Sequence, residues 1–331
     1  MKIAAFMIND AFFDDLQKEL AAHHQIAFYQ HTNNESINLM QTNRLVDWCD
    51  VIFFEFGHYP LNVVTTMPCV NKPIIVRAHG IELFRPNIIN WDKVNLLIVS
   101  PICKQMFLDS QPKTMPKQIK EMMVGIDLGM FPLSPVKIAK KFGKRIVTQS
   151  SVMRPKKRIY TTIQLFKELV DEDPSWDLYI VGEWVSQYRE STLEDQEQYN
   201  WPIRKLLETL NLEEKVWFTP QMGHDVWSHF LKDKDLYWSN SFLEGFHVSC
   251  VEATSTGMYP VVNCWYGAEG IFPDYVVHKT LTGMKRAILE WGSLSETGKL
   301  NKAEAMHEEM KRFDVKKIAR QIREEIENVA R

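Results

Sequence analysis

The chain has 331 residues, 45% of them hydrophobic and 24% charged, with a formal net charge of −3. That length supports two domains with cores of their own, and the composition is that of a soluble globular protein, not of a disordered or collagen-like one. The acidic balance, and a basic stretch without a recognisable reading motif, argue against a nucleic-acid binder.

No apolar run reaches the ~18 residues that span a bilayer, and Met1 to Asp10 reads as a first strand, not a signal peptide, so a cytoplasmic location is expected. Cys49, Cys69, Cys103, Cys250 and Cys264 are an odd set without metal-ligand spacing and read as free, mostly buried thiols.

In chain order, short apolar runs alternate with helical stretches, the sign of parallel sheets covered on both faces. The first half offers strands at Ile3 to Ile8, Ile26 to Tyr29, Val51 to Glu55, Ile74 to Ala78, Leu96 to Ser100 and near Met122 to Val124. A lysine-rich stretch with Pro132 and Pro135, from Leu128 to Lys144, interrupts the pattern and marks a domain boundary. The second half offers Ile146 to Gln149, Asp177 to Val181, Val216 to Thr219, Leu236 to Ser239 and Val261 to Asn263. The expected class is α/β with two Rossmann-like domains. From Lys302 onward, Met306, Met310, Phe313, Ile318, Ile322 and Ile326 fall at helical spacing and predict a terminal helix or bent pair.

The most informative stretch is Ser239 to Ala253, in which Glu244 and Glu252 are eight residues apart and Gly245 directly follows the first. A strand at Leu236 to Ser239 and a helix from Val248 to Thr256, stopped by Gly257, place Glu244 and Gly245 at a strand-to-helix turn. There the backbone N–H groups of Gly245, Phe246, His247 and Val248 can face an anion, for which a diphosphate is the natural candidate. A helical rise of ~1.5 Å per residue leaves the two carboxylates roughly 10 Å apart, against ~5.5 Å for a retaining glycosidase pair, so they do not share one bond-breaking event. This reading puts Glu244 beside a sugar and Glu252 against ribose hydroxyls. An amphipathic helix with two solvated glutamates fits the same pattern.

Glu-Gly-Phe-x5-Glu-Ala, followed by Gly257, Pro260, Val261 and Val262, resembles the signature of the retaining family 4 glycosyltransferases of the GT-B fold. Further pieces follow in the family's order: Ala78-His79-Gly80-Ile81-Glu82, Val99-Ser100, Val124-Gly125-Ile126-Asp127 with Phe131, Pro155-x-Lys157, Ile180-Val181-Gly182 and Val216-x-Phe218. The resemblance implies two Rossmann-like domains facing a cleft, an acceptor-side domain over 1–135, a donor domain over 136–312 and a terminal helix, 313–331, crossing back onto the first. It implies transfer of a sugar from a nucleotide diphosphate sugar, a UDP or GDP sugar, to a glycan, lipid-linked or other hydroxyl with retention. Lys157 is then a diphosphate contact and His79 a donor-sugar contact. Gly182, Glu183 and Met222 lie near the nucleotide, largely through backbone.

Two departures stand out. The family's arginine five residues before the lysine is replaced by Val152, and Arg154 or Arg158 would have to supply the guanidinium; Arg154 is counted with the donor-binding residues. The glycine-rich loop after the first strand is replaced by Asn9-Asp10-Ala11-Phe12-Phe13, which leaves the acceptor side least defined.

From Leu128 to Lys167 there is no acidic residue while nine basic residues crowd Lys137 to Arg158, a field that suits a diphosphate. Lys137, Lys140 and Lys141 read as a solvated linker face. No Asp-x-Asp pair is placed for a metal, since Asp233 and Asp235 lie in a helix-to-strand connection, so metal-independent catalysis without a cofactor is expected. Lys104, Lys113, Lys117 and Lys120, with Met106, Phe107, Met115 and Met122, form a candidate peripheral membrane face. A nucleotide-sugar epimerase, a phosphorylase-type enzyme and a non-catalytic sugar-nucleotide-binding paralogue stay open as alternatives.

Overall fold

The apolar runs form two six-stranded sheets in a computed structural model that describes residues 1–7, 13–30, 37–68, 70–80, 83, 88–152, 155–183 and 201–331. The strands are β1 (Lys2–Met7), β2 (Gln25–Gln30), β3 (Val51–Glu55), β4 (Ile74–Arg77), β5 (Leu96–Val99), β6 (Gln118–Glu121), β7 (Arg145–Val152), β8 (Asp177–Glu183), β9 (Val216–Thr219), β10 (Leu236–Ser239), β11 (Tyr259–Asn263) and β12 (Val277–His278). Described helices are α1 (Asp14–His23), α2 (Leu39–Trp48), α3 (Tyr59–Thr66), α4 (Pro101–Asp109), α5 (Pro135–Ile138), α6 (Ile159–Glu172), α7 (Trp201–Leu210), α8 (His224–Leu231), α9 (Val248–Ser255), α10 (Leu281–Gly292), α11 (Glu296–Met310) and α12 (Val315–Ala330).

All pairings in both sheets are parallel. Such strands are apolar on both faces because helices cover both sides, and β3, β4 and β5 are buried at every position. The last strand of the first sheet runs over Gln118–Glu121, not near Met122 to Val124: it is a largely exposed edge strand whose polar sequence carries no apolar run.

The chain divides into two compact units, Met1–Ile126 with Phe313–Arg331, and Asp127–Arg312. The divide falls just ahead of the Leu128 to Lys144 stretch, because that segment is stitched into the second unit. Ser228 Oγ donates to the Met130 carbonyl at 2.6 Å, Ser255 Oγ to the Phe131 carbonyl at 2.8 Å, and the Ser134 amide to the Thr256 carbonyl at 3.1 Å.

In the first unit the order β2-β1-β3-β4-β5-β6 reverses direction between β1 and β3. Its core joins Ile3, Ala5, Phe13, Leu16, Val51, Phe53, Ile75 and Ile98 to Ile318, Ile322 and Ile326 of α12. The terminal helix is pinned at its start, where the Ile126 amide donates to the Phe313 carbonyl at 2.8 Å and the Val315 amide to the Ile126 carbonyl at 3.0 Å. Gly125 makes this close approach possible, since a Cβ there would lie 2.5 Å from the Val315 Cα.

In the second unit the order is β12-β11-β10-β7-β8-β9, so the reversal falls between β7 and β10. Open parallel α/β sheets bind ligands at the carboxyl ends of the strands flanking such a reversal. The segments leaving β7 and β10 carry Lys157 and Glu244.

Candidate functional site

The carboxyl end of β7 is irregular. Its register against β8 shifts between Gln149 and Val152, and Val152 then pairs with Glu183. Both strands therefore run further than the apolar pattern foretells: Gly182 and Glu183 belong to β8 itself, not to a loop after it. Gly182 has φ +146°, a backbone state that glycine tolerates and L side chains rarely adopt. Bulges of this kind re-aim a strand end beside binding sites. Lys157 follows in a short 3-10 turn, Pro155–Lys157. Arg154, Glu82, Asn9 and Asp10 lie outside the described residues.

The Lys157 Nζ donates to Glu244 Oε1 at 2.6 Å, and both side chains are 8% exposed. Lys156 Nζ stands 4.0 Å from Glu244 Oε2. The Phe242 amide donates to the Lys156 carbonyl at 3.1 Å, which ties the two loops together by backbone. Burial pushes the Glu244 carboxyl up, but His247 and Lys157 outweigh it and hold the group down at about 2.

The strand-to-helix turn starts its helix where the sequence placed it, and adds a left-handed residue that the sequence did not signal. The helix begins at Val248, and His247 is its N-cap residue in the left-handed region, φ 56° and ψ 55°. Gly245 and Phe246 precede the helix; Phe246 is buried. The His247 ring is buried as well, with Nδ1 2.9 Å from Ser239 Oγ and Nε2 3.3 Å from the Tyr237 hydroxyl, which lies 2.9 Å from Ser249 Oγ. Burial drives this imidazole down to about 3 against the pull of Glu244. At neutral pH the ring is uncharged, so the cations that balance Glu244 are Lys157, in contact, and Lys156 at 4.0 Å. A non-glycine residue in left-handed backbone costs energy, and the hydroxyl contacts on both ring nitrogens hold it there.

Glu252 lies within α9, buried, and accepts from Trp227 Nε1 at 2.9 Å, with His224 Nε2 at 3.9 Å from its other oxygen. Burial raises its carboxyl above the usual range, against the pull of His224 and the Trp227 bond. The two glutamates are thus two environments, one held ionised by a lysine and one fixed by an indole N–H. Neither is the solvated glutamate of an amphipathic surface helix. Met222 is half-buried in the connection between β9 and α8. Gly257 has φ +86°, as the stop signal after the helix requires.

The first unit carries a second constellation. Glu55 ends β3 and Arg77 ends β4, and the two residues are register partners. Arg77 Nε donates to both Glu55 oxygens at 3.0 and 2.9 Å, and Nη2 to Oε1 at 2.7 Å. His79 Nε2 lies 2.6 Å from the same Oε1. Sequence reading found His79 but missed both partners. The available signal was an ionisable residue at the last position of two adjacent buried strands.

Three expectations need correction. Lys137 is not solvated: it is 1% exposed, its Nζ turned toward the Leu231 and Lys232 carbonyls at 3.4 and 3.5 Å, at the end of α8. The basic field is partly cancelled, since Lys144 pairs with Asp173 and Arg145 with Asp233 at 2.9 Å. On the proposed membrane face, Phe107 is fully buried against Trp91, while Lys104 and Lys120 pair with Glu121 and Glu325 at 2.7 and 2.6 Å. Among the described residues no helix is long and apolar enough to cross a membrane. Among those residues no group of three or more His, Cys, Asp and Glu is arranged to hold a metal ion. Asp235 instead accepts from the Gly143 and Arg145 amides at 3.2 and 3.1 Å.

Two six-stranded parallel α/β sheets give the chain the GT-B fold. Residues 131–294 match the family model described as Glycosyl transferases group 1, and the chain is a glycosyltransferase carrying that domain. Among curated protein sequences none matches it. The fold is similar to that of HepE from Anabaena, solved with UDP and glucose, at TM-score 0.73 and 18% identity over 99% of this chain and 100% of that one. It is similar to sucrose-phosphate synthase from Thermosynechococcus elongatus, at TM-score 0.74 and 12% identity over 99% of each chain. A UDP-forming trehalose-phosphate synthase from Burkholderia xenovorans matches at TM-score 0.75 and 11% identity over 100% of this chain and 99% of that one. At such identities the likeness is one of fold.

Proposed function

We propose that this glycosyltransferase moves a hexosyl group from a UDP sugar to a hydroxyl of a glycan or lipid-linked acceptor, with retention and without a metal ion. The observation that carries the reading is the buried Lys157–Glu244 pair beside the first turn of α9. UDP is preferred to GDP because the similar HepE structures hold UDP or UDP-glucose.

In this reading the diphosphate lies over the amino end of α9, where first-turn N–H groups and the helix dipole favour an anion. As the bond between the anomeric carbon and the β-phosphate oxygen breaks, its electron pair leaves on the phosphate. Lys157 takes up that developing charge, a role a metal fills elsewhere. The acceptor oxygen bonds to the anomeric carbon on the face the phosphate leaves, and the acceptor proton passes to the departing phosphate. Glu244, ionised, holds a sugar hydroxyl and steadies positive charge at the anomeric centre. Glu252, oriented by Trp227, accepts from the ribose hydroxyls. Arg154, Gly182, Glu183 and Met222 are assigned to the nucleotide. Cytoplasmic polysaccharide assembly, free or at a membrane surface, fits this chemistry.

The test is incubation with UDP-glucose and a panel of glycan acceptors in EDTA, with proton NMR of the new anomeric centre. An α-linked product without added metal supports the proposal. A β-linked product overturns retention, and activity restored only by Mg²⁺ overturns metal independence.

A further inference from the structure

We infer that His224 is a specificity-determining residue of the donor site, which together with Glu252 clamps one hydroxyl of the nucleotide's ribose and so sets a ribonucleotide apart from its deoxy form. The inference rests on the proposed place of Glu252 against the ribose and deepens it, by naming the oxygen that meets the hydroxyl and a second side chain that holds it. All the residues involved belong to the second unit.

The two Glu252 oxygens have different surroundings. Oε2 accepts from Trp227 Nε1 at 2.9 Å, and that indole is buried and stacked on Phe230 with ring centroids 6.0 Å apart. Oε1 accepts no hydrogen bond among the described residues, yet it is not fully enclosed as the unpartnered Asn240 Oδ1 is. It is the oxygen left to a ligand. Beside it stands His224 Nε2, at 3.9 Å. That distance is too long for a hydrogen bond and suits one bridging oxygen, since an oxygen ~2.8 to 2.9 Å from both atoms closes the triangle. A hydroxyl placed there donates its proton to Oε1 and accepts from Nε2–H, so both senses of its hydrogen bonding are used. The Glu252 side chain is 7% exposed and that of His224 62%, so the carboxyl stays fixed while the imidazole takes the tautomer the hydroxyl requires. Without the hydroxyl a nearly buried oxygen faces the nucleotide unpaired, the situation in which a site rejects an analogue that lacks the group.

Packing sets the gap. His224 opens α8 and Trp227 lies three residues on, one turn later on the same face, so a single helix presents both donors to Glu252. Helices α8 and α9 are in turn held to one dipeptide. Ser228 Oγ of α8 donates to the Met130 carbonyl at 2.6 Å, and Ser255 Oγ of α9, three residues after Glu252, to the Phe131 carbonyl at 2.8 Å. The buried Phe131 ring meets the His224 ring edge-on, with centroids 6.4 Å apart. An ordinary surface ion pair joins two solvated side chains in contact. Here one partner is buried, the other is exposed, and the two stop one oxygen short of each other.

Isothermal titration calorimetry of the full chain with UDP, 2′-deoxy-UDP and 3′-deoxy-UDP tests this, in wild type, His224→Phe and His224→Gln. Wild type should bind UDP roughly ten- to a hundredfold more tightly than the analogue that lacks the clamped hydroxyl, the range of hydrogen bonds that include a charged partner. His224→Phe keeps an aromatic ring beside Phe131 and has no N–H. It should weaken UDP roughly three- to tenfold, leave that one analogue's affinity unchanged, and so reduce the preference by the same factor. His224→Gln offers an amide N–H in place of the ring and should recover part of the preference, which a purely structural role of the ring would not allow. No preference of wild type for UDP over either analogue would overturn the inference, as would unchanged UDP affinity in His224→Phe or an equal weakening of UDP and both analogues. In each of these cases UDP still binds and the donor reading stands. Absence of UDP binding to wild type would instead remove the donor reading, and this inference with it.

Discussion

Lys157 and Glu244 meet at 2.6 Å from the two sides of the sheet reversal in the second unit, and neither is more than 8% exposed. Breaking such a pair leaves a buried charge uncompensated, at a cost of about 3–5 kcal/mol, whereas replacing both partners by uncharged groups is far milder. Lys157→Met and Glu244→Gln should each lower stability in urea unfolding, and the double variant should lose clearly less than their sum. Additivity would mean that the contact carries no coupling.

Glu244 and Glu252 differ in partner and therefore in expected kinetic effect. Glu244→Ala should mainly lower kcat, and Glu252→Ala should mainly raise the donor KM. Trp227→Phe, which removes the indole donor at 2.9 Å from Glu252, should raise KM several-fold with kcat nearly unchanged. Steady-state kinetics with the donor varied check this, and an equal effect of both glutamates on kcat would contradict the division of roles.

The His247 imidazole is held down at about 3 by burial. Between that value and the usual histidine pKa of about 6.5, the unfolded chain binds a proton that the native state refuses, so stability is lost as pH falls through this window. Glu244, lowered to about 2, adds loss of the same sign further down, from the usual carboxylate range toward 2. His247→Asn tolerates left-handed backbone and does not titrate. On going from pH 7 to pH 5, wild type should lose about 2 kcal/mol more than His247→Asn in urea melts. Parallel pH profiles would mean that the ring is not buried neutral.

Lys137 gives the opposite end of the scale. Burial lowers its ammonium to about 8, against the pull of Asp235 and Asp233. From about pH 8 to the usual lysine value near 10.4 the unfolded chain keeps the proton and the native state does not, so this group raises stability as pH rises. Lys137→Met should be neutral or stabilising at pH 7, and should lack that rise between pH 8 and 10. Strong destabilisation at pH 7 would show that the contacts to the Leu231 and Lys232 carbonyls matter more than the desolvation.

The parallel sheets were legible because strands such as Val51–Glu55 and Leu236–Ser239 are apolar on both faces and end at a charge or a turn. Two of the four edge strands were not: Gln118–Glu121 is polar and Val277–His278 is two residues long, so neither leaves an apolar run. Lys157, Glu244 and Glu252 were singled out from spacing and resemblance, but the partners that the structure gives them were not foreseen. The Glu55–Arg77 clamp and the Trp227 bond to Glu252 link residues 22 and 25 positions apart, and local pattern does not encode which strand ends become neighbours. Lys137 misled for the same reason, since its burial is decided by α8, far from the lysine-rich stretch in which it sits.

The central claim is that Lys157 holds the diphosphate of a UDP sugar in the second unit. Thermal unfolding of wild type and Lys157→Met with increasing UDP, in EDTA and again in Mg²⁺, tests it most directly. A ligand at about 100 times its Kd adds about 2.7 kcal/mol to the stability of the native state. The account predicts a UDP-dependent rise in Tm for wild type that is the same with or without Mg²⁺ and is largely lost in Lys157→Met. Equal stabilisation of both proteins, or none of wild type at millimolar UDP, would contradict it.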